Sequence, residues 1–375
     1  MHPRAAIQLV STGGVYGAER ALLELASYLK DRGWQSHVVA LEGAGAAQLV
    51  NRAAALGLAA EAFVPGGRLA LLPMMKRLRQ LLSRYPHAIV HSHGYKPDIL
   101  LSVLGARRQQ PCLATCHNWI SETLKMRLLE ALDKRALRGF DHVVAVSGEV
   151  SQELITSGVP QEKVSLIKNG ISAPSVAADA RQRIRNEFDV PTSASLIVQI
   201  GRLARSKRND LLLAAVASLP AGIEVHVLLV GEGDQAQSLI EHIRSKHLEQ
   251  RVHFCGYRSD IAHILAAADL LALTSDKEGL PIVILEAMAM RCPIISTRVG
   301  EIPRVLRDAQ DAWIVPPGDV GALTAAIREL LAHPEMAQAR AANAHAEFVR
   351  HYSRDSMGAR YLEIYDQVWT RRGWA

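Results

Sequence analysis

The sequence predicts an α/β protein with two domains, each built on a parallel β-sheet. Three observations lead to this prediction. At 375 residues the chain is long for a single hydrophobic core. Short apolar runs that suit buried strands alternate with longer segments of helical periodicity. A stretch rich in Ala, Ser and Pro at 173–180 interrupts this alternation and is typical of a linker. We therefore expect two Rossmann-like domains in series, with their sheets facing across a cleft.

The first domain is predicted to cover residues 1–175. Its strands are expected at short apolar runs, namely 5–10, 37–41, 59–64, 88–91, 112–116 and 142–146. Segments 18–31 and 46–56 repeat their apolar residues with a helical period and predict two of the intervening helices.

The second domain is predicted to cover residues 176–353 and to repeat this pattern. Its expected strands are 195–200, 225–230, 252–254, 270–273 and 294–296. Residues 354–375 look like a final helix. Ligands of such sheets bind at the carboxyl ends of the strands, so the residues that follow each strand are the candidates for function.

Composition excludes several classes of protein. Hydrophobic residues make up 49% of the chain and charged residues 21%, so disorder is not expected. No apolar run approaches the roughly 20 residues that span a bilayer, and the amino-terminal run alternates like a strand rather than a signal peptide. Cys112 and Cys116 lack the second ligand pair of a zinc site. The cysteines are therefore predicted to be structural thiols in a reducing cytoplasm.

Positive charge is concentrated in the first half of the chain. Residues 1–175 contain 20 Lys and Arg against 13 Asp and Glu, whereas the remainder contains 23 against 24. A nucleic-acid-binding motif does not accompany this charge, so nucleic acid is not expected as a partner. An anionic membrane surface or a phosphate-bearing acceptor is the preferred interpretation.

Two glutamates, Glu278 and Glu286, stand on either side of a predicted strand-to-helix turn. Amide groups at the start of such a helix suit phosphate, and proline suits the first helical position. The carboxylates could then bind hydroxyls of a nucleotide-sugar, Glu278 on the sugar and Glu286, in the third turn, on the ribose. The turn between them supplies the candidate donor-binding residues Gly279, Leu280, Pro281 and Ile282.

Two cations follow the first strand of the second domain. Arg202 and Lys207 could neutralise a diphosphate leaving group, the arginine as a bidentate donor and the lysine as a point charge. The alternative is that they are ordinary surface cations on a loop that also contains Arg205 and Arg208.

These motifs, in this order, resemble the glycosyltransferases of family 4, which are retaining enzymes with the GT-B fold. The resemblance covers most of the chain and is strongest at the two glutamates separated by seven residues. Its other landmarks are Gly13-Gly14, Val144-Ala-Val-Ser147, Lys168-Asn-Gly170, Gly201-Arg-Leu203 with Lys207, Val230-Gly-Glu-Gly233 and Val315-Pro-Pro-Gly-Asp319. Arg208 and Ser172 depart from the family pattern, which more often has Gly and Asp at these positions.

The resemblance implies a GT-B fold and a reaction that needs no metal or other cofactor. It places His117 against the donor sugar and the loop of Gly231 near the nucleotide, with Tyr257 and Arg258 near the base. It also implies that the final helix, 354–375, packs back on the amino-terminal domain. A lone histidine after a strand is more often structural, and this alternative for His117 stays open.

A second group of candidates lies in the first domain. Gly14 could approach the donor and Gly13 the acceptor, although a tight turn explains both glycines equally well. The other acceptor candidates are Glu19, Arg20, His93 and Asn169. Capping or surface roles for Glu19 and Arg20, and a structural role for His93, are the alternatives. A metal site is not expected at 91–93, because a third ligand cannot be placed.

Segment 68–84 combines leucines and methionines at helical spacing with five cations. One interpretation is a basic helix that docks on anionic lipid. The other is a surface helix whose apolar stripe packs on its own sheet.

The sequence therefore predicts a retaining hexosyltransferase that uses a UDP- or GDP-sugar. The acceptor would be a glycan or a lipid-linked sugar in the assembly of the bacterial envelope. Its expected location is the cytoplasm or the inner face of the cell membrane. The alternatives are a sugar-nucleotide epimerase or hydrolase, and a non-catalytic module that binds nucleotide-sugars.

Overall fold

The structure is a computed structural model that describes residues 4–12, 17–41, 45–63, 71–117, 119 and 123–374. The chain divides into two units. The first unit comprises the chain up to Ser172 together with the segment from His351, and the second unit is Ala173–Arg350. The division falls close to the predicted boundary after residue 175, and the return to the first unit begins at His351 rather than at residue 354.

The first unit contains a seven-stranded sheet in which all neighbouring strands are parallel. Its strands are β1 (Ala5–Val10), β2 (Gln35–Ala40), β3 (Ala59–Ala62), β4 (Ala88–His93), β5 (Cys112–Cys116), β6 (His142–Ala145) and β7 (Val164–Leu166). Their order across the sheet is β3-β2-β1-β4-β5-β6-β7. The order reverses between β1 and β4, which is where Rossmann-like sheets bind ligands.

In the part of the chain that the structure describes, six α-helices connect these strands. They are α1 (Gly17–Asp31), α2 (Ala46–Ala55), α3 (Leu71–Arg84), α4 (Tyr95–Leu104), α5 (Leu124–Leu137) and α6 (Gly148–Thr156). Ser147 caps α6, because its side chain accepts a hydrogen bond from the amide of Val150. The serine of the Val-Ala-Val-Ser landmark is therefore explained by helix capping.

The second unit contains a six-stranded parallel sheet. Its strands are β8 (Ser195–Ile200), β9 (Val225–Val230), β10 (Val252–Gly256), β11 (Leu270–Leu273), β12 (Ile294–Thr297) and β13 (Trp313–Val315). Their order is β10-β9-β8-β11-β12-β13, so the reversal lies between β8 and β11. The helices are α7 (Ala180–Glu187), α8 (Asn209–Ala217), α9 (Ala236–Ser245), α10 (Ile261–Ala267), α11 (Ile282–Ala289), α12 (Ile302–Val305), α13 (Val320–Ala332) and α14 (Pro334–His351).

The final helix, α15 (Arg354–Arg371), belongs to the first unit. Its backbone approaches α1 so closely that a Cβ on Gly358 would lie 2.3 Å from Cγ of Tyr28. Tyr365 reaches the sheet, where its hydroxyl bonds the buried side chains of Gln8 at 3.0 Å and His91 at 2.7 Å. The helix is thus part of the core of this unit.

The strand predictions differ from the structure by one or two residues at the ends of several strands, and two edge strands were missed. β4 extends to His93, two residues beyond the predicted end, so His91 lies inside the strand rather than at its end. The strands β7 and β13 were not predicted, because runs of three residues carry too little periodicity to separate them from loop. Each lies at an edge of its sheet.

The basic segment predicted as a candidate membrane helix forms α3. Its leucines Leu78, Leu81 and Leu82 are buried in the core of the first unit, whereas Lys76 and Arg79 are exposed. The apolar stripe therefore packs on its own sheet, as the alternative interpretation expected. Arg68 lies outside the described residues. No helix in the described part of the chain is long and apolar enough to cross a membrane.

The four cysteines are free thiols in the structure. Cys112 and Cys116 are buried in β5, and burial raises the pKa of Cys112 to about 12. Both are unreactive core residues at neutral pH, as predicted.

Candidate active site

The loops that follow β8 and β11 meet at the point where the strand order of the second unit reverses. The hydroxyl of Thr274 donates to the carbonyl of Lys207 at 2.9 Å, and the amide of Asp276 donates to the carbonyl of Ser206 at 2.9 Å. The side chain of Gln199 donates to the same Lys207 carbonyl at 3.1 Å. These bonds fix the backbone that carries Lys207 against the backbone that leads to Glu278.

Lys207 and Glu278 form an ion pair at this junction. The Nζ of Lys207 lies 2.5 Å from Oε1 of Glu278, and the hydroxyl of Ser275 donates to the same oxygen at 2.6 Å. The carboxylate is 10% exposed and the lysine side chain 24%. Oε2 of Glu278 accepts no hydrogen bond from any residue that the structure describes, so a ligand hydroxyl can bind there.

The neighbouring cations have different roles. Arg202 is exposed and forms no ion pair with the described residues, so its guanidinium is available to an anion. Arg208 is paired with Asp210 at 3.1 Å and with Asp276 at 3.2 Å. Its φ of +49° is in the left-handed region, which explains why glycine is usual at this position in the family.

Glu286 lies on α11, which begins at Ile282. The position of Pro281 differs from the prediction, because its ψ of 132° makes it the N-cap rather than the first helical residue. Glu286 is the fifth residue of the helix and therefore lies in the second turn, not in the third as predicted. It is half-buried, whereas its chain neighbours Leu285 and Ala287 are buried. The half-buried carboxylate and the amino end of the helix lie on one short element.

The glycines of the Val-Gly-Glu-Gly segment allow two strand-end loops to approach each other. A Cβ on Gly231 would lie 2.0 Å from the carbonyl oxygen of Gly201, and one on Gly233 would lie 2.1 Å from that of Leu203. The Leu203 amide also donates to the carbonyl of Glu232 at 2.9 Å. These glycines hold the loop that contains Arg202 in place.

We expect Gly231→Ala to lower the free energy of unfolding by about 2 kcal/mol or more, because φ at this position is +136° and the new methyl would overlap a carbonyl oxygen. Gly222→Ala is the matched control, since nothing lies within 4 Å of its Cβ position. Urea unfolding of both variants measures the difference. Equal stability of the two would show that the loops can separate without cost.

Sequence reasoning missed the residues that support the Glu278 turn from the side of β12. A Cβ on Gly300 would lie 2.2 Å from the carbonyl oxygen of Glu278, and the amide of Glu301 donates to the carbonyl of Gly279 at 3.1 Å. The hydroxyl of Thr297 donates to the carbonyl of Ser275 at 2.7 Å. A signal did exist, because Val-Gly-Glu follows a strand both at 230–232 and at 299–301.

Of the two residues predicted to lie near the base, one is exposed and the other is held in ion pairs. Tyr257 is 77% exposed. Arg258 is held in ion pairs with Glu187 and with Asp260, the latter at 2.8 Å. These carboxylates raise the pKa of the guanidinium, and they orient it toward α7 and the start of α10.

Two of the predicted histidines lie together in the first unit. The rings of His93 and His117 are stacked, with centroids 6.2 Å apart. Burial lowers the pKa of His117 to about 4 and lowers that of His93 well below its usual value, so both are neutral at pH 7. Nε2 of His117 and Nδ1 of His93 have no hydrogen-bond partner among the described residues.

The remaining predicted acceptor residues also belong to the first unit. Glu19 is buried in the first turn of α1, and Arg20 follows it. Asn169 is half-buried between Lys168, which donates to the hydroxyl of Tyr352 at 2.7 Å, and Gly170. A Cβ on Gly170 would lie 2.4 Å from the carbonyl oxygen of Ser353. A glycine is therefore needed here to let the segment that rejoins the first unit after His351 pack closely. Gly13 and Gly14 lie outside the described residues.

No group of three or more His, Cys, Asp or Glu side chains in the described ranges is arranged to hold a metal ion. Of the charged residues predicted for the site, Arg202, Lys207 and Glu278 lie on the strand-end loops of the β8–β11 junction, and Glu286 lies on α11.

Comparison with solved structures identifies the fold of this protein. The structure is similar to that of Anabaena HepE in complex with UDP, with a TM-score of 0.82 and 22% identity over 97% of this chain and 100% of that one. WaaG, a glycosyltransferase involved in lipopolysaccharide biosynthesis, aligns with a TM-score of 0.64 and 17% identity over 96% of this chain and 99% of that one. The fold is therefore GT-B, as predicted.

The family follows from the sequence. Residues 15–173 match the family described as Glycosyltransferase Family 4, and residues 180–347 match Glycosyl transferases group 1. The chain belongs to the glycosyltransferases of the family 4 type.

Curated relatives carry related names. The N-acetyl-alpha-D-glucosaminyl L-malate synthase of Bacillus anthracis is 27% identical over 228 residues, which cover 61% of this chain and 60% of that protein. The lipopolysaccharide core biosynthesis glycosyltransferase LpsE of Rhizobium meliloti is 28% identical over 60% of this chain and 64% of its own length. The chain thus matches less than two thirds of the length of these two relatives.

Proposed function

We propose that this protein is a retaining glycosyltransferase that moves a hexose from a nucleoside-diphosphate-sugar to an acceptor hydroxyl. The observation that carries the proposal is the Lys207–Glu278 pair at the reversal of the strand order in the second unit. Arg202, which is exposed and has no ion-pair partner among the described residues, and the amino end of α11 lie on the loops that hold this pair. Such a set of groups suits a diphosphate attached to a sugar.

Each residue has a distinct role in the proposed reaction. Arg202, Lys207 and the amide groups at the start of α11 bind the diphosphate and stabilise its charge as it leaves. Glu278 binds sugar hydroxyls through its unused oxygen, and Glu286 binds the ribose. The acceptor oxygen forms a bond to the anomeric carbon on the face from which the diphosphate departs. The acceptor proton passes to the departing phosphate oxygen, so no metal and no separate base are needed.

UDP-glucose is the first donor to test. Anabaena HepE has been crystallised with UDP-glucose, and that structure aligns with a TM-score of 0.75 at 22% identity. The name of the LpsE relative points to an envelope glycan as acceptor. The basic first half of the chain, with 20 cations against 13 acids, suits an acceptor that carries phosphate or lies on anionic lipid. We place the reaction at the cytoplasmic face of the cell membrane.

The test is a panel of UDP- and GDP-sugars added to the purified protein. A donor at about 100 times its Kd should raise stability by about 2.7 kcal/mol, which a thermal-shift experiment detects. Release of the nucleoside diphosphate should then depend on an added glycan or lipid-linked acceptor. Equal release without acceptor would favour a hydrolase, interconversion of the sugar would favour an epimerase, and binding without turnover would favour a non-catalytic module.

A further inference from the structure

Helix α5 of the first unit presents three leucines to solvent at a spacing of four residues. Leu124 is 84% exposed, Leu128 63% and Leu132 44%. Residues four apart lie on one face of a helix, so these three side chains form a single apolar stripe, which we call the leucine stripe. Three of the ten exposed large hydrophobic side chains in the described part of the chain are therefore on one helix face.

The opposite face of α5 is firmly attached to the first unit. Leu137 is buried in the core of this unit, and the buried carboxyl of Asp133 accepts a hydrogen bond from the indole of Trp119 at 2.8 Å. The side chain of Thr123 caps the helix by accepting from the amide of Met126 at 3.2 Å. The leucine stripe is thus a stable feature of the folded surface rather than a consequence of fraying.

The charges beside the leucine stripe are positive. Arg127 and Arg135 are exposed and lie three residues after Leu124 and Leu132, on the same side of the helix. Of the acids on α5, Asp133 is buried and Glu130 is paired with Lys134 at 2.5 Å. The exposed face therefore combines apolar side chains with two cations, Arg127 and Arg135, that form no ion pair with the residues the structure describes.

We propose that α5 docks the first unit on an anionic membrane surface, with the leucine stripe among the lipid chains and Arg127 and Arg135 on lipid phosphates. A helix with this combination lies in the plane of the membrane interface. A second copy of the chain fits poorly, because packing two such faces together would juxtapose like charges. The basic excess of residues 1–175 favours the same anionic partner.

The orientation of α5 connects this surface with the proposed function. The helix follows β5, and exposure of the leucine stripe falls from its amino end to its carboxyl end. The most exposed leucine is thus nearest to the carboxyl edge of the sheet, where His93 and His117 lie. This inference rests on the proposed transfer reaction and specifies its acceptor as membrane-bound. It also assigns the lipid contact to α5 rather than to α3, whose leucines are buried.

The experiment is sedimentation of the full chain with phosphatidylcholine vesicles, with and without phosphatidylglycerol. Wild type should bind only the anionic vesicles at physiological salt. The double change Leu124→Ser and Leu128→Ser should weaken binding by roughly tenfold or more, since both side chains would leave the lipid. Arg127→Gln and Arg135→Gln should each weaken it about fivefold, and more at low salt.

Controls separate this proposal from the proposed function. Leu166→Ser on β7 and Val349→Ser on α14 remove other exposed apolar side chains, which are 43% and 51% exposed, and should leave vesicle binding unchanged. The thermal shift caused by a donor sugar should be the same in all variants. The proposal is wrong if wild type ignores anionic vesicles, if the double leucine variant binds like wild type, or if the leucines instead support a dimer in solution. An absent donor shift would overturn the proposed function alone.

Discussion

Glu278→Gln is expected to lower kcat by about 10²-fold or more with little change in the KM for the donor. The amide has the same shape and can still accept from Ser275, but it lacks the charge that faces the reacting sugar. An interaction that strengthens only in the transition state affects turnover rather than binding. Initial rates over a range of donor concentrations measure both constants. Full activity of the variant would show that Glu278 has no role in the reaction.

Glu286→Gln serves as the comparison, because the ribose is held alike in the ground state and the transition state. This variant should raise the donor KM and leave kcat nearly unchanged. Glu301→Gln is the matched control, since this carboxylate lies on the adjoining turn and is bound to Arg304 at 2.6 Å. Identical behaviour of the first two variants would contradict their separate roles.

The alternation of apolar runs was sufficient to predict the two parallel sheets, and the strands at 5–10 and 195–200 were placed with their observed ends. Their sequences are long enough for the pattern to be clear. The carboxyl end of β4 and the short edge strands were not predictable in this way. Whether Ser92 and His93 belong to the strand depends on pairing with β1 and β5, which are distant in sequence.

The charged residues of the candidate site could be proposed from the sequence, because their residue types and spacing indicate a chemistry, and the structure brings Lys207 and Glu278 together. Their supports could not be proposed in this way. Gly231 and Gly300 are needed because backbone segments distant in sequence lie too close to them for a side chain to fit. Ser275 is identified only by its hydrogen bond to Glu278. The same reasoning explains Arg258, which the family resemblance placed near the base but whose partners in the structure are Glu187 and Asp260. A cation without a visible partner in the sequence can still be paired in the fold.

Lys207→Ala and Arg202→Ala are each expected to reduce transfer by about 10²-fold or more, the scale for removing a group that stabilises charge in a transition state. Arg205→Ala is the matched control, because this arginine is exposed on the same loop and is not assigned to the diphosphate. Its activity should equal that of wild type. A metal chelator should leave the wild-type rate unchanged, and a strict requirement for a divalent ion would overturn the proposed role of these cations.

For Lys207→Ala we also expect a loss of donor affinity. This substitution leaves the Glu278 carboxylate, 10% exposed, without its cation and next to the position of the diphosphate. The unpaired negative charge should repel the donor, so the donor Kd should rise more than in Arg202→Ala. Adding Glu278→Gln to Lys207→Ala removes that charge and should recover part of the donor affinity without recovering turnover. Because the two side chains touch, their effects cannot add. Additive losses in both Kd and kcat would mean that the ion pair does not persist in the working enzyme.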